Sequence, residues 1–371
     1  MNAVIVLPSL NINGGVREAL NLGRDLGRGG LPTGVVSMWD SVHPMDSVLP
    51  VSKLSGLRPR AARAALDLPV LTYRFASWLR KGDAQPSVMI FTHYSTLPLA
   101  LLVPRQSRYF YVQGAEWKFL RASLPSAVLR RIVLSIYRTG RIISANPRLS
   151  AQLAREGLDV AFEAPIWAMP DFAGRIDAPR DLDFAMVLRK SPVKRLDLYL
   201  RFIEMAHARR LRMAVITPES DIAEAVSGKV DELLLRPDSE QMRAVYERSR
   251  CFLHLSEYEG FGLPPLEAMG SGCVPVCRDS GGVRSFMLDA ELKDRLLPLT
   301  MPLETIFDRA AQAVAQDSGW QRASIAARRC FDAGLRDVAD ARRDLAANLQ
   351  RQAGARPLGA RVGARQESSA D

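Results

Sequence analysis

The sequence predicts an α/β chain made of two successive units, each a parallel sheet covered by helices. Three observations carry this expectation. Strand-like apolar runs alternate with helical patterns, as in strands joined by helical crossovers. The alternation breaks once, over a two-proline stretch at 163–172 and a polar run to 181, and then restarts. The length of 371 residues also exceeds what one hydrophobic core usually supports.

The first unit, 1–165, opens with the run Ala-Val-Ile-Val-Leu at 3–7, read as a strand, then a helix over 15–27 and a strand over 34–38. Apolar runs at 88–91, 109–112 and 141–144 read as later strands of the same sheet. Residues 166–180 read as a linker, because prolines and polar residues there follow no period. In the second unit, 181–350, a strand at 184–188 precedes a helix over 196–208, followed by strands at 212–216 and 232–235. A helix over 239–249, a strand at 251–255, a helix bearing Glu267, a strand at 274–277 and a helix over 302–315 complete it. Residues 351–371 are small, basic and aperiodic and read as a disordered tail. Units of this kind are Rossmann-like and bind ligands beyond the carboxyl ends of their strands.

Composition narrows the classes. A hydrophobic fraction of 47% with 24% charged residues belongs to a globular protein, not a disordered one. No apolar run reaches the ~18–20 residues a membrane span needs, and no basic region precedes the short apolar start. Cys251, Cys273, Cys277 and Cys330 show no zinc-like pairing with histidine, so free thiols in a reducing, cytoplasmic compartment are expected. The net charge of +10, carried mostly by arginine, calls for an anionic partner.

Chemistry concentrates in the run Glu259-Gly-Phe-Gly-Leu-Pro-Pro-Leu-Glu267. Pro264 and Pro265 suit a first helical turn. Gly260, Phe261, Gly262 and Leu263 can aim backbone amides at one point and let an anion approach closely. Carboxylates accept hydrogen bonds from hydroxyls, so Glu259 and Glu267 beside such a loop suit a ligand with both phosphate and sugar hydroxyls. An ordinary helix-then-strand core is the plainer alternative.

This run and the Ala-Met-Gly-Ser-Gly-Cys-Val-Pro-Val that follows resemble the E-x7-E signature of glycosyltransferase family 4, retaining enzymes of the glycosyl transferases group 1 type. The resemblance is specific over 243–286 and thinner elsewhere. It implies the GT-B architecture: two Rossmann-like domains facing each other across a cleft, an N-terminal acceptor domain and a C-terminal nucleotide-sugar domain. It implies a retaining transfer from a nucleotide sugar without a metal or other cofactor. Arg189 and Lys194 stand where similar enzymes keep diphosphate-binding cations, with Lys190 and Arg195 as possible substitutes and a solvated basic turn as the alternative. By the same resemblance Glu259 binds the transferred sugar, Glu267 the ribose, the amides of residues 261–263 the phosphate and sugar oxygens, and Arg236 with Pro237 the base. Gly14 and Gly15 correspond to a Gly-Gly pair closing over the donor, or form a plain turn. Where similar enzymes place a histidine just after the strand equivalent to 109–112, this chain has Gln113, followed by Glu116, and His93 ends the preceding strand. These three are candidate acceptor or sugar contacts. The Asp181-Leu-Asp183 pair mimics a metal-binding D-x-D pattern but lacks converging oxygens.

Two stretches of the first unit are basic with interleaved apolar residues: 53–81, with Tyr73, Phe75 and Trp78, and 117–141, with no acid at all. Such segments suit an anionic membrane surface, or merely cover the sheet with basic outer faces. The expected activity is thus transfer of a hexose or deoxyhexose to a saccharide acceptor, lipid-linked at the inner membrane face, in bacterial polysaccharide or glycolipid synthesis. A nucleotide-sugar 2-epimerase and a basic nucleic-acid-binding protein are the alternatives. Poverty of histidine opposes the first, and the lack of a recognised module the second. The donor base, the sugar, the linkage and the oligomeric state are not readable.

Overall fold

A computed structural model describes residues 3–10, 14–41, 47, 49–54, 64–81, 86–114 and 124–354. The chain divides into two compact units, Met1–Pro165 with Ala339–Asp371, and Ile166–Val338. The sequence reading carried the second domain to 350 and set 166–180 apart as a linker. Instead, residues 339–354 pack with the first unit, and residues 166–180 belong to the second.

Among the described residues, the first unit holds seven parallel strands: β1 (Ala3–Leu7), β2 (Thr33–Ser37), β3 (Val51–Lys53), β4 (Val88–Phe91), β5 (Arg108–Val112), β6 (Arg141–Ser144) and β7 (Val160–Glu163), in the order β3-β2-β1-β4-β5-β6-β7. Its helices are α1 (Gly14–Arg28), α2 (Ala64–Lys81), α3 (Leu97–Ala100), α4 (Leu124–Tyr137) and α5 (Pro147–Arg155). The second unit holds six parallel strands: β8 (Leu182–Val187), β9 (Met213–Thr217), β10 (Glu232–Leu235), β11 (Ser249–His254), β12 (Val274–Arg278) and β13 (Leu296–Leu297), ordered β10-β9-β8-β11-β12-β13. With them come α6 (Leu196–Ala208), α7 (Ser220–Val226), α8 (Ser239–Arg248), α9 (Leu263–Met269), α10 (Ala290–Lys293) and α11 (Leu303–Ala315). Helix α12 (Asp317–Gly354) runs through the boundary between the units.

Both sheets are doubly wound, reversing strand order between β1 and β4 and between β8 and β11. Crevices at the carboxyl ends of strands open at such reversal points. The central strands are buried on both faces: β1, β2, β4, β5, β9 and β12 are enclosed at every residue, which explains why apolar residues dominate their middles. Helices start where side chains can cap them. Asn146 accepts the Leu149 amide ahead of Pro147, and Asp238 forms a reciprocal capping box with Gln241. Among the described residues, no helix is long and apolar enough to cross a membrane.

Helix α12 was not anticipated beyond the one ending at 315, and it overruns the start of the expected tail at 351 by continuing to Gly354. Residues 355–371 lie outside the described residues. Its sequence shows weak periodicity because it serves two cores. Trp320, Ala323, Ala327 and Phe331 are buried in the second unit, and Leu345, Ala346 and Leu349 in the first. In the first unit Arg342 pairs with buried Glu18 of α1, bonds Asp25 at 2.7 Å and donates to the Pro165 carbonyl at 3.0 Å. The Tyr111 hydroxyl also donates to Glu18, at 3.1 Å.

Burial pushes the Glu18 carboxyl from 4.5 up to about 7, against the opposing pull of Arg342 and Tyr111. The folded chain therefore holds this proton more tightly than the unfolded chain. The resulting stability is complete below pH 4.5 and drains away as pH rises through about 7. Urea midpoints measured across that window should fall more steeply for wild type than for Glu18→Gln; parallel curves would refute the assignment.

Candidate functional site

The site is assembled at the reversal point of the second sheet. Strand β8 ends at Val187 and leads into a loop carrying Arg189, Lys190, Lys194 and Arg195. Strand β11 ends at His254 and leads to Glu259. The Glu257 amide donates to the Val193 carbonyl at 2.8 Å and ties the two loops together. Lys194 Nζ then lies 2.6 Å from Glu259 Oε1. The two sequence-predicted residues are 65 positions apart and form one ion pair.

The Glu259 side chain is only 10% exposed. Burial alone would raise its carboxyl, but contacts with His254 and then Lys194 overcome that and hold it down at about 2. Every cation of the β8–α6 loop is paired in the same way. Arg189 Nε lies 3.3 Å from Glu219, Lys190 meets Asp221, and Arg195 makes a two-point contact with Asp197 at 2.9 and 2.8 Å. Each is paired with a carboxylate from a neighbouring element or from its own helix. Arg195 also adopts a left-handed backbone, φ 52°, which carries the chain into α6.

The glycine loop has a defined scaffold. Glu259 bridges to Gly281, and its amide donates to the Ser280 carbonyl at 3.0 Å. Gly262 sits at φ 96°, a conformation that favours glycine, and precedes α9, which has only seven residues. Phe261 is buried between Trp167, in edge contact at 5.9 Å, and Phe286 at 5.6 Å. Trp167 in turn donates to the Phe331 carbonyl at 3.0 Å. Among the described residues, no backbone hydrogen bond outside the helices and strands occupies the amides of Phe261, Gly262 or Leu263. Pro264 and Pro265 lie in the first turn of α9, and Gly260 is exposed. Glu267 is 3% exposed and engaged by its neighbours, so it shows little surface to a ligand.

Other predicted residues sit on other elements. Arg236 takes a left-handed conformation after β10, φ 55°, and donates to the Pro218 carbonyl at 3.0 Å, with Pro237 next to it. In the first unit Gly14 and Gly15 are exposed at the start of α1, and Gln113 Nε2 donates to the Gly15 carbonyl at 3.0 Å. His93 turns inward to cap a short turn: its Nδ1 accepts from the Ser95 amide at 3.2 Å, and burial lowers the ring to about 4. It is therefore a weak base. Glu116 lies outside the described residues. Asp181 is spent on Arg248 and Arg212, and Asp183 accepts the Arg212 amide at 2.8 Å, which gives the D-x-D pair a structural role. Cys251, Cys273 and Cys277 are buried free thiols. A cavity of about 570 Å³ opens at the amino ends of β5 to β7, lined by Arg105, Tyr137, Arg138, Arg141 and Asp159. It contains none of the predicted site residues and lies at the opposite strand ends.

His254 escaped the sequence reading. Its Nε2 lies 3.1 Å from Glu259 Oε1, and its side chain is 5% exposed. The only signal was a polar residue closing the apolar run Cys-Phe-Leu-His-Leu.

A Cβ on Gly282 would meet the Phe261 backbone at 2.6 Å, and no flexible side chain can yield there. Gly282→Ala should therefore displace the Glu259 loop and destabilise the protein by about 1–3 kcal/mol, as overpacking does. An unchanged urea midpoint would show that the loop is held in some other way.

Comparison with known proteins places this geometry in context. Residues 218–297, which include Glu259 and Glu267 but not Lys194, match the family Glycosyl transferases group 1. A GDP-mannose:cellobiosyl-diphosphopolyprenol alpha-mannosyltransferase of Xanthomonas oryzae pv. oryzae is 38% identical over 65 residues, covering 16% of this chain. A putative glycosyltransferase 41 of a Sulfolobus islandicus filamentous virus is 42% identical over 57 residues, or 15% of the chain. In both cases the match spans only 17% of the relative's own length. Similarity of fold extends much further. Sucrose-phosphate synthase from Thermosynechococcus elongatus superposes with a TM-score of 0.75 at 14% identity, covering 95% of this chain and 99% of that one. WaaG, a glycosyltransferase involved in lipopolysaccharide biosynthesis, gives 0.69 at 11% identity, covering 94% and 99%. The chain thus has the two-unit, Rossmann-like fold of the GT-B glycosyltransferases, with a glycosyl transferases group 1 segment around its paired carboxylates.

Proposed function

We propose that the protein is a retaining glycosyltransferase and that the site at the carboxyl ends of β8 and β11 binds the diphosphate and sugar of a nucleotide sugar. The observation that carries this reading is the convergence of Lys194 and Glu259 at the reversal point of the second sheet. Glycosyl transfer builds negative charge on the leaving diphosphate and positive charge on the sugar ring. Fixed cations stabilise the first, and a buried carboxylate binding the sugar hydroxyls orients the second. Lys194 and Arg189 take the diphosphate together with the loop amides, in place of a metal. Glu259 takes sugar hydroxyls. The bond from the sugar's anomeric carbon to the phosphate oxygen breaks, a bond to the acceptor hydroxyl forms on the same face, and the acceptor proton passes to the leaving phosphate oxygen.

The Xanthomonas relatives support GDP-mannose as donor and a saccharide carried on a polyprenyl diphosphate as acceptor. A lipid-borne acceptor also gives a purpose to the first unit's basic segments, on the cytoplasmic side of the membrane. On α4 the apolar residues Val128, Leu129 and Ile132 are exposed on one face, with Arg131 beside them. A helix with such a face lies well in an anionic bilayer surface. Within the other basic stretch Tyr73 is 71% exposed, whereas Phe75 is fully enclosed and stacks on Trp78.

A thermal-shift series with GDP, UDP and dTDP should show one nucleotide raising the melting temperature of wild type, with the rise lost in Lys194→Ala. Equal shifts in both proteins would remove Lys194 from the site. Glu259→Gln should still bind that nucleotide but transfer sugar ~10²-fold more slowly, because the lost contact tightens in the transition state. Val128→Asp with Ile132→Asp should abolish co-sedimentation with anionic vesicles; retained binding would rule out α4 as the membrane face.

A further inference from the structure

Two donors crowd a single oxygen of Glu259 from unlike supports. Lys194 Nζ at 2.6 Å rides on a short turn, Pro192–Lys194, and its side chain is 31% exposed. His254 Nε2 at 3.1 Å closes β11 in register with Cys277 of β12, and its ring lies 6.5 Å from that of Phe252 in a stacked arrangement. Lys194 can follow a ligand, whereas His254 is locked in the sheet. The contact from His254 is close but not aligned, so Nε2 is buried without a properly directed acceptor. Leaving such a group unsatisfied costs free energy. Hydrogen bonds of this kind often tighten only when the ligand is bound.

The Tyr199 hydroxyl and the Cys277 thiol also lie near Glu259. The Tyr199 hydroxyl on α6 already accepts the Leu255 amide at 2.8 Å. The Tyr199 hydroxyl and the Cys277 thiol are both pushed up, first by burial and further by the charge of Glu259, so they face it as neutral groups. When a diphosphate draws Lys194 away, Glu259 loses a cation while still enclosed. An enclosed carboxylate without a partner is strongly disfavoured.

We propose that His254 is the positioning residue of Glu259: it takes over the carboxylate oxygen that Lys194 releases to the donor's diphosphate, and so keeps the second oxygen aimed at the sugar. The proposal rests on the donor-site reading given above. It assigns the two donors different tasks. Lys194 is the exchangeable one, shared between carboxylate and phosphate, and His254 is the fixed one.

The test has an arm without ligand and an arm with it. In the free protein, the Glu259 carboxyl is titrated by carbon-13 NMR in wild type, His254→Leu and His254→Gln. The titration of wild type should lie well below the ordinary carboxylate range, move upward in His254→Leu, and move less in His254→Gln, whose amide still donates. An unmoved titration in His254→Leu would overturn the proposal. In the second arm, nucleoside diphosphate affinity and donor turnover are measured on the same three proteins. His254→Leu should keep the affinity, since a nucleoside diphosphate has no sugar for Glu259 to hold. Its kcat should fall on the order of 10-fold to 100-fold, as a misplaced catalytic group costs, and His254→Gln should restore most of it. Equal impairment of both variants, or a loss of affinity in step with kcat, would reduce His254 to a structural residue. A wild type that binds no nucleoside diphosphate would sink the donor-site reading instead, and the ligand-free titration would then decide His254 by itself.

Discussion

The second unit's site depends on mutual neutralisation of charge at the carboxyl ends of its strands. Glu259 is nearly enclosed, and a carboxylate in that position is tolerable only because Lys194 and His254 meet it. The neighbouring cations obey the same constraint, Arg189 with Glu219, Lys190 with Asp221 and Arg195 with Asp197. The ligand-free site is therefore electrostatically satisfied rather than a bare basic pocket. Displacing these partners requires an anion that offers more charge than a carboxylate.

The packing beneath the site keeps that charge arrangement in register. Phe261 is clamped by Trp167 and Phe286 while Gly282 passes against its backbone, so the loop bearing Glu259 has little freedom to relax away from Lys194. Trp167 is itself anchored on the Phe331 carbonyl of α12, with Gly334 leaving room for its ring. The segment read as a linker thus helps support the glycine loop.

The fold was legible wherever one face or both faces of an element meet a single core. The enclosed strands β1, β4, β5 and β12 announce themselves as apolar runs, and α6 by its period. Several short or mixed elements gave no clear signal, although β10, with the same burial pattern as β7, was read. Strand β7 is enclosed at none of its residues, β3 is three residues long and mostly exposed, and α12 changes core partway along its 38 residues. The site was half legible. Glu259 and Lys194 were readable from local motifs, but their pairing is a property of parallel strands adjacent in space. The Arg189–Glu219 contact crosses from the β8 loop to the β9 loop, a separation that no spacing rule exposes. His254 was hidden as a lone polar residue at the end of an apolar run, and Glu267 looked available because burial cannot be read from a helical motif.

Helix α12 has one more consequence. Because the chain leaves the first unit at Pro165 and rejoins it at Ala339, residues 166–338 are topologically an insertion, and Arg342 fastens the point of return to the carbonyl at the point of departure. Insertions whose ends meet in this way can be exchanged as cassettes, since the host retains its own closure. A different module spliced between those positions would inherit the Glu18–Arg342 staple intact, so the first unit could carry a new partner without being rebuilt.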